Sequence, residues 1–152
     1  FRTRGGREAS SNFSAHFSRC RRTGDLYNHG LILGPSLRIN LMHLTGDGVL
    51  LRERAFDLPY DTFVHDSCLT DRFLIYFVLP WRVNKKKLLR FLAGLDPFGS
   101  CYEWAPEDGC FVRIHSRDDL SLVHEVRLPR PLTLYHIVDA CDDVRAGPRG
   151  AS

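Results

Sequence analysis

The sequence predicts an all-β fold that is interrupted by one short amphipathic helix. Most of the middle of the 152-residue chain falls into apolar segments of strand length, and glycine, proline and aspartate turn signals separate these segments. Only one segment has clear helical periodicity. Hydrophobic residues make up 43% of the chain and charged residues 26%, as in a globular protein. Successive antiparallel hairpins of this length are typical of propeller blades or of a sandwich.

The first strands are predicted at residues 26–33, 37–44 and 49–58. A glycine–proline–serine turn signal at 34–36 separates the first strand from the second. The segment 45–48, which contains two glycines, suits a hairpin loop between the second and the third. These signals predict consecutive antiparallel hairpins.

The later strands follow the same logic. Residues 73–79 form a continuous apolar run that Pro80 ends, which favours a strand buried on both faces, although periodicity alone also allows a helix. Residues 111–116 and 121–128 form another hairpin. Pro129 and Pro131 then impose extended backbone on the approach to His136.

Residues 84–93 are the one predicted helix. Asn84 can serve as the N-cap, Gly94 lies where a C-terminal glycine is expected, and Pro97 prevents continuation. The apolar face consists of Leu88, Phe91, Leu92 and Leu95, and the basic rim consists of Lys85, Lys86, Lys87 and Arg90. Such a helix either lies on an anionic membrane surface or packs on its own domain with its lysines in solvent.

Charge and composition exclude several classes of protein. The net charge of +3 is too small to indicate a nucleic-acid partner. The five cysteines form no paired motif and are interpreted as free thiols in a reducing compartment. No nucleophile motif, phosphate-binding glycine loop or zinc spacing is present. The sequence has no secretory signal and begins at Phe1 rather than at Met, and the missing Met suggests a fragment.

Both ends of the chain differ in composition from its middle. Residues 1–12 and 144–152 are polar, basic and rich in small side chains, and neither segment has a periodicity. Such segments bury too little apolar surface to offset chain entropy, so both are expected to be disordered. One folded domain is therefore predicted over residues 13–143.

The histidines carry little information one at a time. A buried imidazole such as that expected at His65 needs a partner for each ring nitrogen, which could be a backbone carbonyl, Asp66 or a metal. Strand pairing predicts that His115 and His124 share a solvent-facing side of their hairpin with Arg113. The sequence assigns no role to His29 and His43.

Three histidines lie in short motifs that form an ordered set. The motifs are Ser14-Ala15-His16 with Thr23-Gly24-Asp25-Leu26-Tyr27 after it, Val64-His65-Asp66 before the run 68–76, and His136-Ile137-Val138-Asp139-Ala140. In this order and at these separations they resemble the iron-binding core of the carotenoid cleavage oxygenases. That family includes apocarotenal oxygenases, stilbene oxygenases and retinoid isomerases. The resemblance covers residues 13–143.

The resemblance implies a fold, a cofactor and a reaction. The fold is a seven-bladed β-propeller, of which this chain contains only a few antiparallel blades. His16, His65 and His136 match the first three of four histidines that hold Fe(II). The implied activity is that of a non-haem iron dioxygenase, which cleaves a conjugated C=C bond of a carotenoid, apocarotenoid or stilbene with O2 and gives carbonyl products.

The resemblance also implies partners and a location. The expected partners are an apolar polyene and O2, without nucleic acid. Leu88, Leu89, Phe91 and Leu92 match a stretch through which family members contact a membrane and admit substrate. That match favours the membrane interpretation of the helix, and a plastid or cytoplasmic location peripheral to a membrane is expected.

Departures from the family pattern support a competing hypothesis. Phe17 stands where the family has proline, Ser67 where phenylalanine is usual, and Asp139 where asparagine is usual. The fourth histidine and the glutamates that orient the imidazoles are not in this chain, so it is expected to have little activity alone. The alternative is a non-catalytic β-rich interaction module or a degenerate family member.

Overall fold

The computed structural model describes residues 8–143. The expected disorder at 1–7 and at 144–152 therefore lies outside the described residues. Residues 8–12, also expected to be disordered, instead lie against the first sheet. The Ser10 hydroxyl donates to Glu53 over 3.0 Å, and the Leu31 amide donates to the Asn12 side chain over 2.7 Å. Polar side chains hold this segment through hydrogen bonds, which the hydrophobic pattern does not reveal.

Four strands form the first sheet in chain order, each antiparallel to its neighbour. They are β1 (Ser18–Arg19), β2 (Leu26–Ile32), β3 (Arg38–Leu44) and β4 (Leu50–Asp57). The predicted strands agree with β2, β3 and β4 to within one residue at each end. In the predicted hairpin loop, Gly48 has φ 89° and the Val49 amide donates to the Thr45 hydroxyl over 3.0 Å.

The remaining elements form a second sheet and an insertion. They are β5 (Ser67–Leu69), β6 (Phe73–Val78), β7 (Trp81–Val83), α1 (Lys85–Leu92), β8 (Tyr102–Trp104), β9 (Phe111–Ser116) and β10 (Leu122–Arg127). Short 3-10 helices span Phe98–Cys101 and Pro106–Asp108. The second sheet has the order β10-β9-β6-β5, and β7 pairs separately with β8.

One apolar core joins the two sheets. Ile39 and Leu41 from β3 meet Leu74 and Tyr76 from β6, and all four are fully buried. The first strands also adjoin, because the Ser18 hydroxyl of β1 donates to a backbone carbonyl of β5 over 3.3 Å. Two four-stranded antiparallel sheets that meet at their first strands are arranged as neighbouring propeller blades. The prediction of an all-β partial propeller with one inserted helix is confirmed.

Helix α1 has the predicted caps but buries none of its residues. Asn84 accepts a hydrogen bond from the Lys87 amide over 3.2 Å, and Gly94 has φ 73°. Leu89 and Leu92 are 67% and 62% exposed, whereas Leu88 packs against the core from a half-buried position. Within residues 8–143, no helix has the length and apolar character needed to cross a membrane.

The prediction that Arg113 and His115 face solvent is wrong. His115 is fully buried between Phe56 and Tyr76, whose ring centroids lie 4.5 and 5.3 Å from its own. Arg113 donates to Asp57 O over 2.6 Å. This side of the hairpin packs against the first sheet, so the sheet interface determines its burial. A shift of register at β10 also places His124 opposite Ile114 rather than opposite Arg113.

Candidate metal centre

Three histidines from distant parts of the chain converge at the point where the sheets meet. One ring nitrogen from each of His16, His65 and His136 lies within 4.8 Å of the other two. The ring centroids are 4.7 Å apart for His16 and His65, and 4.8 Å apart for His16 and His136. The centroids of His65 and His136 are 5.2 Å apart. Three motifs that are far apart in the sequence thus bring their histidines into one compact cluster.

The first strands of the two sheets determine where two of the rings lie. His16 lies two residues before β1 and His65 two residues before β5. Because β1 and β5 are adjacent, the same offset brings both rings to one place. His136 has no strand of its own, since residues 128–143 form no helix or strand. Hydrogen bonds to its neighbours hold this segment, including one from the Ile137 amide to Asp66 over 2.9 Å.

The environment of the cluster favours a neutral imidazole at His65, although this residue is exposed and not buried as the sequence predicts. Partial burial lowers the pKa of His65, and the nearby rings of His16 and His136 lower it further, whereas the Asp66 carboxylate opposes the shift. A neutral ring keeps a lone pair on one nitrogen, which is the form that binds metals. Among the described residues, no hydrogen bond occupies a ring nitrogen of the three histidines.

The donor set therefore fits a transition metal. Imidazole nitrogen is a suitable ligand for iron, and neutral imidazoles leave the charge of the ion intact. Nitrogens bound to one ion at about 2.1 Å lie at most about 4.2 Å apart. Ring nitrogens within 4.8 Å of one another need only small rotations of the side chains to reach such separations.

A fourth histidine supports the cluster without belonging to it. His29 of β2 is 1% exposed, and burial lowers its pKa to about 4. One of its ring nitrogens lies 3.0 Å from Val64 O and the other 3.2 Å from the Ser67 hydroxyl. These two residues flank His65. Sequence reasoning missed this role, because alternation with apolar residues along a strand does not reveal a partner on another sheet.

A polar cleft of about 670 Å³ runs from the cluster along the first strands of the sheets. Its walls include His16, Cys20, Asp66 and Arg117. A hydrogen bond from Thr23 lowers the pKa of Cys20 to about 7, although burial opposes the shift. All five cysteines are free thiols, as predicted, and Cys141 is the exposed one.

An apolar groove of about 570 Å³ lies between α1 and the end of β2. Its apolar walls include Leu31, Phe63, Leu88, Phe91 and Leu92. The predicted membrane and substrate-access residues thus divide into two sets. Leu88 and Phe91 are half-buried groove walls, whereas Leu89 is exposed and Leu92 is an exposed residue at the groove edge.

Acidic partners offset most of the basic rim of the helix. Lys85 pairs with Asp61 over 2.7 Å, Lys87 with Glu103 over 3.0 Å, and Arg90 with Asp96 over 2.7 Å. Lys86 is the one cation of the rim without an ion pair to another described residue. Hydrogen bonds from Asn84 and Lys87 lower the pKa of Glu103, and one from Arg90 lowers that of Asp96.

Comparison with known proteins identifies relatives of the chain. It is 29% identical over 85 residues to carotenoid cleavage dioxygenase 8, chloroplastic, from Arabidopsis thaliana, which covers 56% of this chain and 14% of that protein. Cobalt-substituted Synechocystis apocarotenoid oxygenase (ACO) superposes with a TM-score of 0.66 at 21% identity, covering 85% of this chain and 27% of the other. Lignostilbene dioxygenase from Pseudomonas brassicacearum gives 0.63 at 24% identity, covering 80% and 25%.

The structural likenesses confirm the fold, which is part of a seven-bladed β-propeller. The chain spans about a quarter of the length of these structures and about a seventh of the curated relative. Residues 1–149 match the family model described as retinal pigment epithelial membrane protein (RPE65). The chain therefore belongs to the retinal pigment epithelial membrane protein family, which is the carotenoid oxygenase family.

Proposed function

We propose that this chain supplies three ligands, His16, His65 and His136, to the Fe(II) centre of a dioxygenase. The reaction is cleavage by O2 of a conjugated C=C bond in a carotenoid, apocarotenoid or stilbene, with two carbonyl products. The observation that carries the proposal is the convergence of three imidazoles, each with a free ring nitrogen among the described residues. The substrate class follows the names of the relatives, a carotenoid cleavage dioxygenase, an apocarotenoid oxygenase and a lignostilbene dioxygenase.

The three imidazoles would hold Fe(II) without cancelling its charge, and the iron would supply the O2 chemistry. The protein contributes the placement of the rings. Partial burial and the nearby rings of His16 and His136 lower the pKa of His65, so the lone pair of His65 stays available. The fourth histidine that the family pattern requires is expected outside this chain.

The apolar groove supports the choice of an apolar substrate. A polyene has few polar groups, so a groove walled by Leu31, Phe63 and Phe91 fits its chemistry. We propose that Leu88 and Phe91 form the wall along which the substrate approaches. Leu89 and Leu92 then face the membrane from which the polyene is taken, because both are mostly exposed. The chloroplastic relative favours a plastid location over the cytoplasm.

The positions of the three residues that differ from the family pattern, Phe17, Ser67 and Asp139, favour an oxygenase over a non-catalytic module. Phe17 is 51% exposed and Asp139 is also exposed, so neither blocks the space between the rings. Ser67 is buried, and its hydroxyl contacts His29. None of the three substitutions disperses the cluster.

Anaerobic Fe(II) binding by the purified chain tests the proposal. We expect one tightly bound iron per chain in the unaltered protein and none in His65→Ala. The matched control is His124→Ala, which removes an exposed imidazole on β10 and should bind iron normally. Circular dichroism of each protein checks that the fold is retained. Equal iron content in folded wild type and His65→Ala would contradict the proposal.

A further inference from the structure

The three proposed ligands lie on irregular backbone, so something outside regular strand pairing must hold them. His16 precedes β1, His65 precedes β5, and His136 lies in a segment without a strand. Metal binding requires the three rings to keep a fixed separation. The contacts that provide this restraint form one continuous chain of hydrogen bonds.

The His16 segment is tied to β2. The Ser14 amide donates to His29 O over 2.9 Å and contacts the Asn28 side-chain oxygen at 3.0 Å. The Asn28 side-chain amide donates back to Ser14 O over 2.9 Å. Asn28 and His29 are buried, so solvent does not compete for these bonds. The backbone two residues before His16 is thereby fixed.

The side chain of His29 connects β2 to the backbone around His65 through two hydrogen bonds. A carbonyl oxygen can only accept, so the ring nitrogen 3.0 Å from Val64 O must carry the proton. The other ring nitrogen is then an acceptor, and it takes the hydrogen bond of the Ser67 hydroxyl. His29 thus holds the residue before His65 and the residue two positions after it.

Asp66 connects the backbone beside His65 to the backbone beside His136. One carboxylate oxygen accepts from the Ser67 amide over 2.8 Å, and the other accepts from the Ile137 amide over 2.9 Å. A second contact holds the segment that contains His136. The Asp142 carboxylate accepts a hydrogen bond from the Thr70 hydroxyl over 3.0 Å. The backbone next to His136 is therefore bonded to the residue next to His65.

We propose that His29 and Asp66 are positioning residues that hold the three imidazoles at the separation needed to bind a metal. Neither residue is a ligand in this assignment. The inference rests on the proposed function, and it assigns the fixing of the site to one residue of the first sheet and one residue that immediately precedes β5. Supporting residues of this kind change metal affinity by about 10- to 100-fold when they are replaced.

The test is anaerobic titration of the full chain with Fe(II) alone. His29→Phe keeps a buried ring but removes both hydrogen bonds. Asp66→Asn keeps one acceptor oxygen and turns an NH2 group toward the second amide. We expect each variant to bind Fe(II) about 10- to 100-fold more weakly than wild type. His29→Gln, which can both donate and accept, should restore much of the affinity.

Two control variants separate positioning from general loss of stability. His115→Phe also replaces a fully buried imidazole, one that bonds to Leu120 O and lies in the second sheet away from the cluster. Asp118→Asn replaces an exposed acid in a turn. Both should bind Fe(II) with wild-type affinity. A fall in affinity for His115→Phe as large as that for His29→Phe would overturn the inference.

The outcomes also distinguish this inference from the proposed function. Wild-type binding that does not depend on His65 would overturn both. Wild-type affinity in folded His29→Phe and Asp66→Asn would overturn the inference alone. Amide hydrogen exchange gives a readout without metal, and the Ile137 amide should exchange faster in Asp66→Asn than in Asp118→Asn. Unchanged protection of that amide would also overturn the inference.

Discussion

The two four-stranded sheets share one plan but differ in a single connection. In each, an antiparallel set of four strands follows a histidine that lies two residues before the first strand. The first sheet joins its strands by short loops. The second sheet extends the connection between β6 and β9 into residues 79–110, which hold β7, α1 and β8. The shared part places His16 and His65, and the inserted part carries five of the thirteen exposed large hydrophobic side chains among the described residues.

This difference shows how one scaffold separates two tasks. The positions of His16 and His65 depend on first strands that lie against one another. The insertion contributes Val83, Leu88 and Tyr102 to the cluster that joins the two sheets, and its helix has no buried residue. We expect substitutions in the insertion to affect surface contacts, and substitutions in the shared part to affect stability and the site.

Matched core substitutions in the two sheets should have the largest effect. Leu41 in the first sheet and Leu74 in the second are both fully buried in one cluster. Leu41→Ala and Leu74→Ala should each lower the free energy of unfolding by about 2–5 kcal/mol, because each leaves a cavity. Chemical denaturation should show one transition that both variants shift. Two transitions, each responding to one variant, would mean that the sheets fold independently.

Substitutions on α1 should weaken the proposed membrane contact without affecting the fold. Leu89→Glu combined with Leu92→Glu should weaken binding to lipid vesicles about tenfold or more, because two leucines no longer enter the lipid. High salt should change binding little, since three of the four rim cations already have acidic partners. Leu51→Glu, at a 49% exposed position on β4, is the control in a vesicle sedimentation assay. An equal loss of vesicle binding in Leu51→Glu would show that the leucines of α1 have no special role in membrane contact.

Acid should destabilise the protein through the buried histidine at the sheet interface. Burial lowers the pKa of His115 to about 4, below the value of about 6.5 for an exposed imidazole. As the pH falls from about 6.5 to 4, the unfolded chain binds a proton here and the folded chain does not, so stability decreases by up to roughly 3 kcal/mol.

Denaturation at several pH values measures this dependence. His115→Phe should flatten it, and His29, whose pKa is also lowered to about 4, should account for part of the remainder. His124→Ala, at an exposed position, should leave the dependence unchanged. An identical pH profile for wild type and His115→Phe would contradict the assignment.

The cap of α1 should give the smallest effect. Asn84→Ala removes the acceptor of the Lys87 amide and should destabilise the helix by about 1 kcal/mol. Because no helix residue is buried, amide exchange in α1 should rise while global unfolding changes little. Asn84→Asp retains a capping oxygen and should preserve protection. A global loss of stability in Asn84→Ala would show that the insertion supports the sheets.

The sequence by itself determined the local elements and the identity of the clustered histidines. Turn signals predicted the ends of β2, β3 and β4 to within one residue, and the Asn84 and Gly94 caps located α1. These features depend on backbone propensities that neighbouring residues impose, so they are visible in a short window of sequence. The resemblance of three ordered motifs to the carotenoid oxygenase pattern indicated His16, His65 and His136, which the fold then brings together.

Only the tertiary structure decided which polar residues are buried and what they hold. Arg113 and His115 were expected in solvent, yet the first sheet covers them. His29 had no assigned role, yet its ring bonds to both sides of the His65 turn. Strand alternation reports which side of a strand a residue faces, but not what packs against that side. The partner comes from a distant part of the chain, so its identity depends on how the two sheets meet.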